Sequence, residues 1–333
     1  MKKHKICKIL LVILAIFLCV AFYELLGICI AYKKQPEVSN TTKKETKNGS
    51  WNECSENTER AVIIEKNPEA LLQRVRLIKN AKKEIILSTF AFQSDESGKL
   101  ILGALHDAAD RGVHIRLLVD GMESWIDMEG NPYFYGLSSH ENVEIKLYNK
   151  ANPLKPWKMM GRMHDKYLIA DGKRYILGGR NTYNYFLGDF PGHKNYDRDV
   201  LVVCDEPEKE NSVNQLLEYF ETIWEQEDSG YFHDNKKLAN RKSVKNAVLE
   251  LQNGYQKYFE ENKERICDTD YTDETFETEK IALVSNPIHT GSKEPVVWYQ
   301  LGELMKNAKN RVKIHTPYII CNDMMYNTWE EIA

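Results

Sequence analysis

The 333-residue sequence lacks the features that would indicate a disulfide-bonded fold, a structural zinc site or a nucleic-acid-binding surface. Its seven cysteines are scattered without an obvious disulfide framework, and no two of them form a C-x-x-C pair. This argues against a structural zinc site, since such sites usually take closely spaced cysteine or histidine ligands. The formal net charge is −4, so overall electrostatics do not favour a polyanionic partner such as nucleic acid.

The N-terminus carries one long apolar run. Residues 9–32 are interrupted by a single charge, Glu24, and lysines flank both ends. A helix of this length is long enough to cross a hydrocarbon core of about 30 Å. A cleaved signal peptide is the alternative, but no clean A-x-A cleavage site follows the run. We therefore predict a retained signal anchor over residues 1–32, a single pass through the cell membrane.

The orientation of this anchor is only weakly determined by the sequence. Lysines precede and follow the apolar run in similar number, so the excess of positive charge that marks the cytoplasmic side barely discriminates. We expect the globular part to lie outside the cytoplasm. Residues 33–60 are polar and show no apolar period, which predicts a flexible tether between membrane and globular part.

Helical and strand patterns alternate in the next segment. We predict an α/β fold with a mixed, largely parallel sheet flanked by helices on both faces, because strand–helix–strand repeats place strands in parallel. An Asp-Gly pair at residues 171–172 lies between two apolar runs and predicts a hairpin turn. The predicted domain covers residues 61–230, with helices over 68–83, 99–111 and 212–226 and strands over 84–92, 113–120, 143–148, 167–170, 174–177 and 200–204.

Residues 164–181 carry the most informative motif. His164, Lys166 and Asp171 form an H-x-K-x4-D pattern, and a G-G-x-N pattern containing Gly179 and Asn181 follows. Side chains two apart on a strand point to the same face, so the imidazole and the ammonium should project together. A nucleophilic base beside a cation suits attack on a phosphodiester, because one group bonds to phosphorus while the other stabilises the charge of the oxygens.

These motifs together resemble the signature of the phospholipase D superfamily. With the stretch at residues 111–121, the sequence is similar to bacterial cardiolipin synthase-like and phospholipase D-like membrane proteins. The resemblance implies that His164 is the nucleophile that forms a phosphohistidine, or, if roles are exchanged, the acid that protonates the leaving alcohol. It implies that Lys166, Gly179 and Asn181 bind the phosphate. Asp171 is counted with the catalytic residues, in a role that orients or supports the pair.

The segment at residues 193–199 allows two interpretations. Its one histidine and two aspartates could suggest a metal site, but a loop leading into the next strand is the simpler interpretation. The segment also resembles the Arg-Asp stretch that follows G-G-x-N in cardiolipin synthases, which makes Asp199 a candidate for supporting the site from behind. No metal or other cofactor is expected, because Lys166 and Asn181 supply the charge stabilisation that a cation would give.

The sequence also contains an internal repeat. Similar segments begin at Asn80 and Asn307, and the superfamily is often built from two halves that each contribute an H-x-K motif. A second histidine at the same offset would fall near residue 391, beyond Ala333. We predict residues 231–280 to be a helical, polar connector and residues 281–333 to begin an incomplete second half. Three origins stay open: a truncated gene product, a piece of a longer chain, or a chain that pairs with itself or a partner supplying the other motif.

A phosphodiester site on a membrane-anchored chain suggests a substrate that lies in the membrane. We predict transfer of a phosphatidyl group, as in cardiolipin synthases, or hydrolysis of a phospholipid, in either case through a phosphohistidine. Two alternatives remain. One is a phospholipase D-type endonuclease, which the mild acidity and the anchor disfavour, so nucleic acid is not an expected partner. The other is a catalytically incomplete lipid-binding protein, because the second motif is absent from the sequence.

Overall fold

A computed structural model describes residues 2–49, 59–207, 211–316 and 319–333, with side chains from residue 5 onward. The helices are α1 (Lys2–Tyr32), α2 (Asn40–Asn48), α3 (Asn67–Asn80), α4 (Glu96–Asp110), α5 (Glu123–Asp127), α6 (Pro132–Ser138), α7 (Ser212–Trp224), α8 (Lys242–Glu261), α9 (Lys263–Cys267), α10 (Val296–Lys306) and α11 (Asp323–Ile332). The strands are β1 (Arg60–Ile64), β2 (Glu84–Thr89), β3 (His114–Asp120), β4 (Val143–Tyr148), β5 (Lys166–Ala170), β6 (Arg174–Gly178), β7 (Asp199–Val203), β8 (Ser229–Tyr231) and β9 (Phe276–Glu277).

All of these strands join one mixed sheet in the order β8-β4-β3-β2-β5-β6-β7-β1-β9. The predicted mixed α/β sheet flanked by helices is confirmed, but its description as largely parallel is corrected. Only the neighbours among β2, β3 and β4 pair in parallel, and the other described pairs are antiparallel. Helical crossovers link the parallel strands, whereas a tight turn joins β5 to β6 and can only reverse the chain direction.

Helices cover both faces of the sheet because successive strand residues point to opposite sides. Leu87 and Leu117 belong to the larger core cluster, which α3, α4, α6 and α8 cover. Ile86 and Leu118, one residue away in each strand, belong to the second cluster under α7. Burying each such side chain contributes about 1.5–3 kcal/mol. The alternation therefore fixes which face of each strand packs against α3, α4, α6 and α8 and which face packs against α7.

The predicted hairpin at residues 171–172 is confirmed between β5 and β6. Three residues connect the strands, and the backbone N–H of Lys173 donates to the Ala170 carbonyl at 3.1 Å. Asp171 and Gly172, at the centre of this turn, adopt left-handed φ angles of 55° and 62°. Asp and Gly tolerate this conformation better than most residues. The strand β1, by contrast, was missed, and it pairs with β7 at the opposite side of the sheet from β4.

Part of the predicted tether is ordered rather than flexible, which corrects that expectation for the described residues. Asn40–Asn48 forms α2, and the Ser39 side chain caps it by accepting from the backbone N–H of Thr42. Glu294 accepts from the Ser39 backbone at 2.8 Å and from the Thr42 hydroxyl at 2.6 Å. A polar segment with no apolar period is thus held by hydrogen bonds to a distant part of the chain. Residues 50–58 of the predicted tether lie outside the described residues.

The domain boundaries stay predictions. The helix α10 precedes the second copy of the repeat, as α3 precedes the first, but residues 307–316 form no strand. An isolated strand has no neighbour to pair its backbone groups, which accounts for this difference from β2. The last part of that repeat, Pro317 and Tyr318, lies outside the described residues.

Candidate functional site

His164 and Lys166 lie at the start of β5, beside the end of β2. The register pairs Lys166 with Thr89, which brings Phe90 next to the motif. The His164 ring lies 4.7 Å from the Phe90 ring centroid, and the Lys166 ammonium lies 5.4 Å from the same centroid. The imidazole and the ammonium therefore both lie beside one aromatic ring, although β5 begins only at Lys166 and His164 precedes it.

Both side chains face a cavity of about 380 Å³. One wall comes from the motif and the other from α7 and a C-terminal segment at residues 283–297. The Lys166 residue is only 6% exposed, whereas His164 is exposed. The cavity-lining residues are Arg162, His164, Asp165, Lys166, Tyr167, Leu177, Gly178, Leu216, Tyr219, Leu283, Val284, Ser285, Asn286, Lys293 and Val297.

The surroundings tune the two groups for different tasks. Burial lowers the pKa of Lys166 to about 8, against the raising effect of Asp165 and Asp197. Desolvation and the charge of Lys166 lower the pKa of His164. Near neutral pH the imidazole is therefore uncharged, with a lone pair available, while the ammonium is still mostly protonated. This is the pairing of nucleophile and cation that phosphodiester attack requires.

Short hydrogen bonds hold the pair and its neighbour Asp165. The Lys166 ammonium donates to the carbonyl of His164 at 2.6 Å. On the other side of the chain, the Tyr219 hydroxyl donates to the Asp165 carboxylate at 2.8 Å. Burial raises the pKa of Asp165, opposed by the Tyr219 bond and by the charges of Lys293 and Lys166. The C-terminal segment thus brings a second lysine, Lys293, to the same cavity, which sequence reasoning missed.

Asn181 and Gly179 contact other parts of the protein and do not line the cavity. The side-chain amide oxygen of Asn181 accepts from the backbone N–H of Ala91 at 3.2 Å, and Ala91 follows Phe90. At Gly179 a Cβ would collide with the Asp197 carboxylate, and at Gly178 with that of Asp199. Neither Asn181 nor Gly179 lines the cavity in the described structure, so their binding of phosphate stays a prediction. The two glycines are required by the close approach of the neighbouring strand.

Asp199 lies directly behind the glycine pair. Its carboxylate is buried and forms ion pairs with Arg74 at 2.9 Å and with Arg180 at 3.2 Å. Arg180 is 1% exposed and also donates to the carbonyl of Ile64 at 3.1 Å. The three charges tie β7, α3 and the end of β6 together behind the motif. The supporting role of Asp199 in the chemistry of the site stays a prediction.

Asp171 is not brought to the pair, and its assignment to the catalytic residues is corrected. It lies at the far end of β5, about 17 Å from Lys166 at the rise of an extended strand. Its carboxylate accepts from the backbone N–H groups of Lys82, Lys83 and Glu84. The reason is topological: β5 runs away from the cavity, so the residue after its end connects to the α3–β2 junction.

Asp120 supports His164 from the end of β3 and was also missed. Its buried carboxylate accepts from the backbone N–H of Met163 at 3.0 Å and lies 3.3 Å from the guanidinium of Arg162. Burial raises the pKa of this carboxyl, against the lowering effect of Arg162. Asp120 thereby fixes the residue before His164. An aspartate at the end of an apolar strand was the available signal.

The sequence matches known proteins over this region. The sequence model for the family described as "Cardiolipin synthase, PLD-like domain" matches residues 74–224. Cardiolipin synthase C of Escherichia coli (strain K12) is 29% identical over 171 residues, which cover 47% of this chain and 34% of that protein. An uncharacterized protein of Helicobacter pylori (strain J99) is 30% identical over 212 residues, covering 59% of this chain and 39% of that protein. The chain thus spans well under half the length of these two relatives.

Among solved structures, NucT from Helicobacter pylori covers 52% of this chain and 99% of its own at 16% identity and a TM-score of 0.41. The family match extends from α3 to the end of α7 and includes the cavity residues His164 and Lys166. Together with the cardiolipin synthase relative, this match supports placing residues 74–224, a little under half of the chain, in the phospholipase D superfamily.

Proposed function

We propose that this chain is a membrane-anchored phosphodiester-cleaving enzyme that transfers a phosphatidyl group or hydrolyses a phospholipid. The observation that carries the proposal is the placement of His164 and Lys166 on one aromatic ring, both lining one cavity. Members of the phospholipase D superfamily are phosphodiesterases or phosphotransferases. The choice of a lipid substrate rests on the cardiolipin synthase relative and on α1.

The chemistry proceeds in two displacements. An imidazole nitrogen of His164 forms a bond to phosphorus while the bond from phosphorus to the leaving alcohol oxygen breaks, and that oxygen takes up a proton. Water or an alcohol then attacks the phosphohistidine, loses a proton and releases the imidazole. The Lys166 ammonium stabilises the negative oxygens in both steps. Which acceptor reacts depends on how well the cavity excludes water once the substrate is bound.

The leaving alcohol needs a proton donor. His164 is the one histidine among the described residues that line the cavity, and it is occupied as the nucleophile. We propose that a second H-x-K motif supplies the donor, contributed through self-association, a partner or a further part of the protein. An uncharged histidine cannot serve as acid, so the second imidazole would have to be protonated when the first is not.

The lipid substrate reaches the site from the membrane that α1 crosses. Residues 5–32 form a helix whose length and composition suffice to span a bilayer, at about 1.5 Å per residue. We propose a single pass with the catalytic part outside the cytoplasm. The phospholipid and the membrane surface are then the partners of this chain.

Replacing the nucleophile tests the proposal. Full-length His164→Ala in lipid nanodiscs should lose headgroup release and phosphatidyl transfer by at least about 1,000-fold, because a covalent route needs the imidazole. The wild type should form an acid-labile phosphoprotein with phospholipid labelled in its acyl chains, whereas a label in the headgroup should leave with the released alcohol. His193→Ala, an exposed histidine outside the cavity, is the matched control and should keep wild-type turnover.

Two results would contradict the proposal in different ways. Unchanged lipid turnover in folded His164→Ala would remove this residue as the nucleophile. Cleavage of DNA that depends on His164, without release of any lipid headgroup, would replace phospholipid by nucleic acid as the substrate. A salt-dependent DNA-binding assay on the same variants separates that case, since phosphate-backbone contacts weaken steeply with salt.

A further inference from the structure

The loop that leads into the motif presents apolar side chains to solvent. Leu154 is 77% exposed, Met160 59% and Trp157 46%. Residues 149–163 contain four lysines or arginines and no aspartate or glutamate. Trp and aliphatic side chains beside lysines are typical of segments that lie in the headgroup region of an anionic bilayer.

Part of the positive charge of this loop is available to a ligand. Asp228 pairs with Lys158 at 2.7 Å, and Asp120 pairs with Arg162. Within the described part of the chain, no carboxylate pairs with Lys150 or Lys155. Each lysine near an anionic lipid surface contributes about 1 kcal/mol of attraction. The exposed apolar side chains and the two lysines without a carboxylate partner therefore belong to one short stretch.

The loop packs directly against the end of the predicted anchor. The Tyr23 hydroxyl donates to the carbonyl of Leu154 at 3.0 Å, and Gly27 lies so close to Pro156 that a Cβ would collide with the proline ring. About 20 helical residues cross a hydrocarbon core of about 30 Å. A crossing that starts at Ile9 then ends near Cys29, so the last two turns of the crossing lie against this loop.

Hydrogen bonds also hold the loop in a defined position relative to the site. The Asn149 side chain donates to the carbonyl of Lys158 at 2.7 Å and to that of Gly161 at 2.8 Å. Two residues after Gly161, the backbone N–H of Met163 donates to the Asp120 carboxylate, and His164 follows. A surface that held the loop tip would therefore set the height and orientation of the catalytic pair relative to that surface.

We propose that residues 150–160 form a second membrane contact that inserts into the interfacial layer beside α1 and directs the His164 cavity towards the lipid. The proposal rests on the membrane crossing in the proposed function. The occupant is a bilayer surface with anionic lipid, because continuity with α1 places the loop at the boundary and the loop charge is positive. The lipid headgroup is thereby presented at the cavity without leaving the membrane.

Depth-dependent quenching of tryptophan fluorescence tests this contact. The full-length His164→Ala chain is placed in nanodiscs of phosphatidylcholine and phosphatidylglycerol, with or without bromine atoms on the acyl chains. Trp157→Phe should lose the part of the bromine quenching that comes from the loop. Adding Leu154→Trp to that variant should restore it, whereas adding Leu249→Trp, an exposed position on α8, should not.

The result that would overturn the contact is equally direct. Unchanged quenching in Trp157→Phe with no gain from Leu154→Trp would place the loop in water. An emission change that follows protein density in the disc but not bromination would mean that a second copy covers the loop. Because the measurement uses a variant without the nucleophile, its outcome is independent of whether the proposed lipid turnover is found.

Discussion

At the scale of the residue, the pKa values of His164 and Lys166 are both lowered, for different reasons. The ammonium disfavours a charged imidazole, and the low exposure of Lys166 disfavours its own charge. The two effects open a window of pH in which one group is neutral and the other charged. Outside that window the pair loses either its nucleophile or its cation.

The pH dependence of kcat/KM follows from these directions. Activity on a phosphodiester should rise as the imidazole loses its proton below its ordinary pKa of about 6.5, and should fall as Lys166 loses its proton near pH 8. Lys166→Arg keeps the charge at higher pH. Its pH–rate profile should retain the acidic limb and lose the fall near pH 8. An alkaline limb still found near pH 8 would assign that step to another group.

We expect Asp199 to contribute mainly to stability. Asp199→Ala leaves two buried guanidinium groups, Arg74 and Arg180, without their carboxylate, so the free energy of unfolding should fall by about 3–5 kcal/mol. Asp205→Ala removes an exposed partner of Arg174 at 2.7 Å and should cost at most about 1 kcal/mol. Denaturant unfolding measures both. Equal losses in the two variants would contradict the role of burial.

At the scale of the element, β5 separates the two ends of the H-x-K-x4-D motif. The histidine and lysine stand at the cavity end, and the aspartate stands at the hairpin end, bonded to the start of β2. A motif that is continuous in sequence is thus divided between a reactive site and a structural junction. The strand itself, buried along its whole length, holds the distance between them.

Replacing Asp171 distinguishes these two roles. Asp171→Ala loses the side-chain hydrogen bonds to three backbone N–H groups and places alanine, which tolerates the left-handed conformation less well than aspartate, at a φ of 55°. The free energy of unfolding should fall by about 2–3 kcal/mol. Turnover per folded molecule should stay unchanged. Asp171→Asn, which keeps an acceptor and tolerates the left-handed conformation, should recover most of the stability. A large loss of kcat in the folded Asp171→Ala variant would return Asp171 to the chemistry.

At the scale of the whole molecule, distant parts of the chain meet at one cavity. Residues 283–297 reach back over β5, and the Tyr32 hydroxyl at the end of α1 donates to the carbonyl of Thr290 at 2.6 Å. The anchor, the loop before His164 and the C-terminal segment therefore form one assembly around the site. Lys293 is the cation that this assembly adds. Burial lowers the pKa of Lys293, against the raising effect of Asp165.

Lys293 should contribute to binding of an anionic diester. Lys293→Ala should raise KM for a soluble phosphodiester by about tenfold, equal to about 1.4 kcal/mol, with a smaller change in kcat. Lys309→Ala removes an exposed lysine outside the cavity and should leave KM unchanged. Steady-state kinetics at low salt compare the two. An unaltered KM in Lys293→Ala would mean that the C-terminal segment covers the site without binding substrate.

The sequence by itself determined the features that depend on near neighbours. The H-x-K spacing, the Asp-Gly turn, the long apolar helix and the main helices and strands follow from periodicity, turn chemistry and length, which act over a few residues. Only the tertiary structure decided the antiparallel pairs that make up most of the sheet, the pairing of Arg74 with Asp199, the bond from Met163 to Asp120 and the return of Lys293 to the cavity. Each of these joins residues far apart in the chain, and burial and charge pairing between such residues leave no periodic trace in the sequence.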